Sequence, residues 1–156
     1  MSGANLKSCR FVMSEMAGAK LAGADLSDAL LEGANLENAD LRNANLQSAR
    51  LLAVELKDTS GEKTGRLWRA NLTGANLSGA NLIEADLGNA RLNNADLRGA
   101  DLTGANLSNA DLGGALIADA NMTGANLENA QMDDAISESE PAEQSEDELL
   151  DVAVGA

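Results

Sequence analysis

Large apolar residues recur every fifth position in this chain. They fall at Leu6, Phe11, Met16, Leu21 and so on to Leu56, and a second series runs in fives from Leu67 to Met132. The two series hold 11 and 14 centres, 25 in all, and the second is one residue out of step with the first. Two residues before each centre the side chain is small: Ala at 8 of the first 11 positions and at 13 of the next 14. A step of five residues turns an α-helix by about 140°, which would scatter the Leu side chains over every face. Helix is therefore excluded despite the Ala and Leu content. A separation of two puts Ala and Leu on one side of an extended segment, and the other residues of the repeat must turn the chain.

The second position after each centre carries the turn chemistry. In the second series it is Gly, Asn or Asp in 12 of 14 repeats, the residues that tolerate positive φ. Each repeat is thus a very short strand followed by a bend, and it buries nothing alone. Successive turns of a coil must stack, so that inward Leu side chains form columns and each strand pairs with the coil above. A solenoid follows, with a thin core free of large rings, since the chain holds one Phe, one Trp and no Tyr.

The run A(N/D)LXX, written as ANLTGANLSGANLIEADLGN and NADLRGADLTGANLSNADLGG, resembles the pentapeptide-repeat proteins, bacterial and notably cyanobacterial, and the match covers residues 4 to 136. The resemblance implies an all-β, right-handed quadrilateral β-helix with four repeats per coil and about six coils, roughly 30 Å long. It divides the chain into a first block of repeats at 4–56, an inserted loop at 57–66, a second block at 67–136 and an acidic tail at 137–156. The loop either bulges from the rod or replaces one of its faces. The family includes regulatory proteins and gyrase-binding quinolone-resistance proteins that mimic duplex DNA. In those inhibitors Phe centres are common and projecting loops matter for activity; here Phe11 is the lone Phe.

Chemistry is narrowed further by what the chain lacks. With no His and a single Cys, Cys9, it can build no disulfide, no Cys/His zinc centre and no His acid or base. We expect no enzyme, no cofactor, no metal and no catalytic residue. Cys9 fills a small inward slot two residues before Phe11 and is expected to be buried. No run of about eighteen apolar residues marks a membrane span, and the N-terminus has no apolar run like that of a signal peptide, so a cytoplasmic location is expected.

The net charge of −14 opposes direct binding to nucleic acid or an anionic membrane. Residues 137–156 hold seven acids and no base, so the repeat body, with 18 acids and 11 bases, carries −7. Imitating about 30 Å of duplex would need about seventeen net charges. The Asn and Asp residues before each centre are better placed to bond nearby backbone and neighbouring coils. In the acidic tail, Ser145 and Glu148 stand at capping-box spacing before Leu149 and Leu150, enough for a short helical turn, and the tail is read as solubilising, as docking on a partner or as covering the open end of the rod. The first half of the tail reads as disordered.

The break KDTSGEKTGRLWR, residues 57–69, contains the one tryptophan. Trp68 follows Leu67, read as a centre, and so is expected to face outward between Arg66 and Arg69, either as a partner site or packed under the loop it adjoins. Trp and Arg are enriched at interface hot spots. Arg66, Trp68, Arg69, Leu149 and Leu150 are the candidate partner-binding residues, and a protein partner is the expected ligand. The uncapped first coil adds an expectation of end-to-end association between copies or of a partner at one end. A gyrase-binding DNA mimic is the second functional reading.

Overall fold

The structure, a computed structural model, describes residues 1–138. The tail readings, including disorder, the short helix and the roles of Leu149 and Leu150, fall outside the described residues. Within them the chain is a β-helix whose walls are ladders of single-residue parallel bridges, with no α-helix. Bridged residues lie 20 apart, so four pentapeptides complete one coil. One ladder runs Asn5, Asp25, Asn45, Asn81, Asp101, Asn121; the next starts at Arg10, the third at Glu15 and the fourth at Lys20. Each has six rungs.

Residues 24–28 illustrate why these sequences fold so. The Ala24 N–H donates to the Leu21 carbonyl at 2.9 Å and closes the bend, while that of Asp25 donates to Ala4 of the preceding coil. Leu26 and Asp28 donate to Asn45 and Gln47 of the following coil. The Ser27 N–H has no coil partner, and the Asp25 carboxylate accepts it at 3.0 Å. All five donors of the repeat are thereby satisfied, as a thin buried wall requires. The same bond recurs from Ser78 to Asn76, from Thr103 to Asp101 and from Ser108 to Asn106. Asn and Asp side chains also bridge coils: Asn106 Nδ2 donates to Asp86 at 2.8 Å and Asn45 Nδ2 to Asp25 at 3.1 Å. The expected role of these side chains in bends and between coils is what the structure contains.

Positive φ recurs at the second residue after a centre from Gly3 to Ser48 and again from Gly74 to Asp134. Inside, the Leu centres from Leu21 to Leu51 and from Leu72 to Leu112 are fully buried, together with the Ala partners from Ala24 to Ala49 and from Ala70 to Ala110. All non-Leu centres lie in the end coils: Phe11, Met16, Ile117, Met122 and Met132, all only partly buried. Bulkier or more adaptable side chains spread where no further coil covers them. Cys9 is likewise half-buried rather than buried, because its slot lies in the open first coil.

At the break, the structure departs from the reading of the sequence. Leu56 and Leu67 are not centres. Leu56 leaves the rod in strand β1 (Val54–Lys57), and Leu67, in strand β2 (Lys63–Trp68), is 46% exposed. The bridges jump from Asn35 to Asn71, a step of 36 in place of 20, so sixteen residues are extra and the next face after Leu51 belongs to Leu72. The insertion bulges from the rod and replaces no face. It is an antiparallel hairpin pairing Val54 with Trp68 and Glu55 with Leu67, with an irregularity between Glu55 and Lys57. Asp58 organises its tip by accepting the N–H groups of Ser60 at 2.8 Å and Glu62 at 3.0 Å.

Candidate partner-binding site

Where the hairpin meets the rod, the chain brings its one tryptophan onto a glycine bend. The Trp68 indole N–H donates to the Gly33 carbonyl at 3.0 Å, a contact between residues 35 apart. Gly33 has φ +64, and a Cβ there would stand 2.8 Å from Trp68 Cδ1. Glycine is needed twice at this place, for the left-handed backbone and for the approach of the ring. Met13, one coil below, lies against the same bend, its Cγ 3.4 Å from that Cβ position. It is the one apolar side chain held at positive φ among the described residues. Leu67, Trp68 and Met13 are 46%, 46% and 44% exposed, three of the five large apolar residues so exposed among those described.

Beside the ring opens a pocket of about 310 Å³ lined by Glu15, Gly33, Asn35, Leu67, Trp68, Arg69, Asn71 and Arg91. Glu15, Asn35, Asn71 and Arg91 are four consecutive rungs of one ladder. Asn35 Nδ2 donates to Glu15 at 2.8 Å, and Asn71 Nδ2 donates to Asn35 Oδ1 at 3.2 Å. The ladder thus sets a fixed polar floor, while the hairpin supplies the apolar wall. In the hairpin, Glu55 and Lys63 pair at 2.9 Å across the strands, and this contact raises the Lys63 ammonium above its ordinary pKa. Hydrogen bonds from Ser60 and the backbone of Glu62 hold Asp58 below the usual carboxylate range.

Of the candidates read from sequence, Trp68 and Arg69 line this pocket, whereas Arg66 sits exposed on β2 outside its lining. Trp68 does not simply project between two arginines: it lies against the rod and still leaves nearly half its surface open. Met13, Gly33 and Arg91 are not among the residues the sequence singles out, and Leu67, read there as an inward centre, lines the pocket instead. A period of twenty would have aligned residues 71 and 91, but joining them to 15 and 35 required the length of the insertion. Among the described residues no group of three His, Cys, Asp or Glu is placed to hold a metal ion, and no helix is long and apolar enough to cross a membrane.

A family model described as pentapeptide repeats matches the chain in eight copies over residues 1–38, 19–58, 66–99 and 100–136. The comparison with curated proteins gave no match. Among solved structures, the chain is similar to a pentapeptide repeat protein, Rfr23, from the cyanobacterium Cyanothece, at 23% identity over 88% of this chain and 90% of that one, with a TM-score of 0.32. HetL of the cyanobacterium Nostoc, described as involved in heterocyst differentiation regulation, is 28% identical over 85% and 80% of the two chains, with a TM-score of 0.23. QnrB1, a plasmid-mediated fluoroquinolone resistance protein, is 21% identical over 85% and 78%, with a TM-score of 0.39. At such scores no partner or activity passes from these proteins to this chain.

Proposed function

The chain belongs to the pentapeptide repeat family, and on that footing we propose that it is a non-enzymatic scaffold, a right-handed β-helix of about six coils that engages a protein partner through the foot of its hairpin. The observation that carries this reading is the gathering of Trp68, Leu67 and Met13, all half-exposed, beside Arg69 at the one interruption of an otherwise uniform wall. Partly exposed aromatic and Arg side chains on a rigid support are what interface hot spots are made of. A rigid rod also presents them with little ordering cost on binding.

A cytoplasmic location and end-to-end association through the open end coils belong to the same reading. The second reading, a gyrase-binding duplex mimic, finds less support in the charge, because −7 on the repeat body is under half of what about 30 Å of duplex would carry. An affinity capture from the protein's own cell extract, using wild type beside Trp68→Ala and a chain lacking residues 58–65, tests the proposal. Partners recovered by wild type and lost in both variants would support the hairpin site; equal recovery by all three would overturn it. Inhibition of gyrase supercoiling at low protein concentration would bring the second reading to the front.

A further inference from the structure

The pocket at the hairpin foot has a chemistry opposite to that of the chain as a whole. On a protein with 25 acids and 11 bases, two guanidinium groups, Arg69 and Arg91, line a single pocket. Neither has an ion-pair partner among the described residues, whereas Arg42, Arg50 and Arg98 are each held by a carboxylate of the rod. The one acid lining the pocket, Glu15, is already engaged by Asn35. Trp68 and Leu67 line the same pocket as the two arginines.

We propose that this pocket receives an acidic, leucine-bearing peptide segment of the partner, with a carboxylate between Arg69 and Arg91 and an aliphatic side chain against Trp68 and Leu67. The inference rests on the hairpin foot being the partner-facing element. Three considerations select the occupant. Planar guanidinium forks match carboxylates and hold them in pairs of parallel bonds, which a lysine ammonium cannot do. A volume of about 310 Å³ admits one or two side chains of a segment and not a folded surface. The charge of −14 repels a polyanion along its length, but at physiological salt it is screened beyond about 8 Å, so a short segment feels mainly the two arginines.

Trp68 is the one tryptophan and the chain has no tyrosine, so the fluorescence of the intact protein reports on the pocket directly. The probe is a synthetic peptide alternating glutamate and leucine, titrated beside the same peptide with glutamine in place of glutamate. The glutamate peptide should shift Trp68 emission to the blue and saturate. The glutamine peptide, and the Arg69→Ala and Arg91→Ala proteins with the glutamate peptide, should each bind at least about tenfold more weakly. Both arginines are exposed, and matched unfolding curves check that the variants keep the rod.

Equal binding of the two peptides, or binding indifferent to both arginines, would overturn the acidic class while leaving the hairpin as a docking element. So would silence with both peptides if partner capture still depends on Trp68. An arginine-dependent response to a short oligonucleotide in place of the peptide would assign the pocket to phosphates and likewise overturn the proposal. Capture that ignores Trp68 would instead remove the functional reading on which the inference stands.

Discussion

The wall of the rod and the foot of the hairpin solve opposite problems with neighbouring residues. In the wall, Leu72 is fully buried, and the repeats around it return the same side chains to the same positions. Five residues earlier, Leu67 has the same identity and a matching place in the pattern of fives, yet it is 46% exposed. Where every coil repeats its neighbour, each position is shared by many copies and no surface is unique. Sixteen residues that need not obey the repeat create the place where, among the described residues, a tryptophan, two arginines without ion pairs and a glycine bend meet. The contrast separates what supports from what can recognise.

The sharpest way to break the comparison is to truncate both leucines. Leu72→Ala should cost about 2–5 kcal/mol in denaturant unfolding, since it leaves a cavity in a column of identical side chains. Leu67→Ala should stay within about 0.5 kcal/mol. Similar losses for the two would mean that Leu67 is inward after all and that the register of the break is wrong.

Gly33→Ala probes the joint between the two regions. Its Cβ would meet the indole at 2.8 Å on a residue with φ +64, whereas Gly18, with φ +66, has nothing within 4 Å of that position. Both substitutions carry the backbone cost of about 1 kcal/mol, so the difference between them isolates the ring contact. Gly33→Ala is expected to destabilise more than Gly18→Ala and to shift Trp68 emission to the red; identical losses and unchanged emission would detach the hairpin from the rod.

Excision tests the register with a smaller expected effect. Removing residues 54–69 joins Leu51, Leu52 and Ala53 to Ala70, Asn71 and Leu72, which restores a spacing of five; a Gly in place of Ala53 suits the bend. The shortened rod should unfold cooperatively with stability within about 1 kcal/mol of the parent, because loop closure depends only weakly on length. Collapse of the fold would show that the hairpin supports the wall. The smallest effect belongs to the surface. The Arg42 side-chain hydrogen bond holds Asp40 down at about 2, below its ordinary 3.8. Between those values the unfolded chain binds the extra proton, so this stabilisation is present above about pH 4 and fades as pH falls towards 2. Thermal melts of Asp40→Asn should lose stability less steeply across that window than wild type; parallel slopes would assign the acid sensitivity elsewhere.

Much of the molecule was legible in the order of residues. The five-residue beat forbids a helix, and the pairing of Ala with Leu sets the inward side. Gly, Asn and Asp lie where the chain must bend, and the structure holds them at positive φ. The hairpin was legible only as a break. Leu56 and Leu67 continue the pattern by spacing, and only their neighbours mark them as different: Val54 and Gly65 stand where Ala is usual, and Arg69 where the turn carries Gly, Asn or Asp. Trp68 and Arg69 stood out by type, but Arg91, twenty-three residues beyond Trp68, looked like any other outward residue.

What the sequence by itself determined, then, is the repeat unit and its stacking, because both depend on contacts whose spacing in the chain is constant. The position of the hairpin against Gly33, and the pocket between Trp68, Arg69 and Arg91, were decided only in three dimensions. They depend on which rung follows the insertion. That choice is made by whichever leucine completes the inward column with its backbone donors satisfied, and the competition between Leu67 and Leu72 is settled by packing against coils far away in the chain.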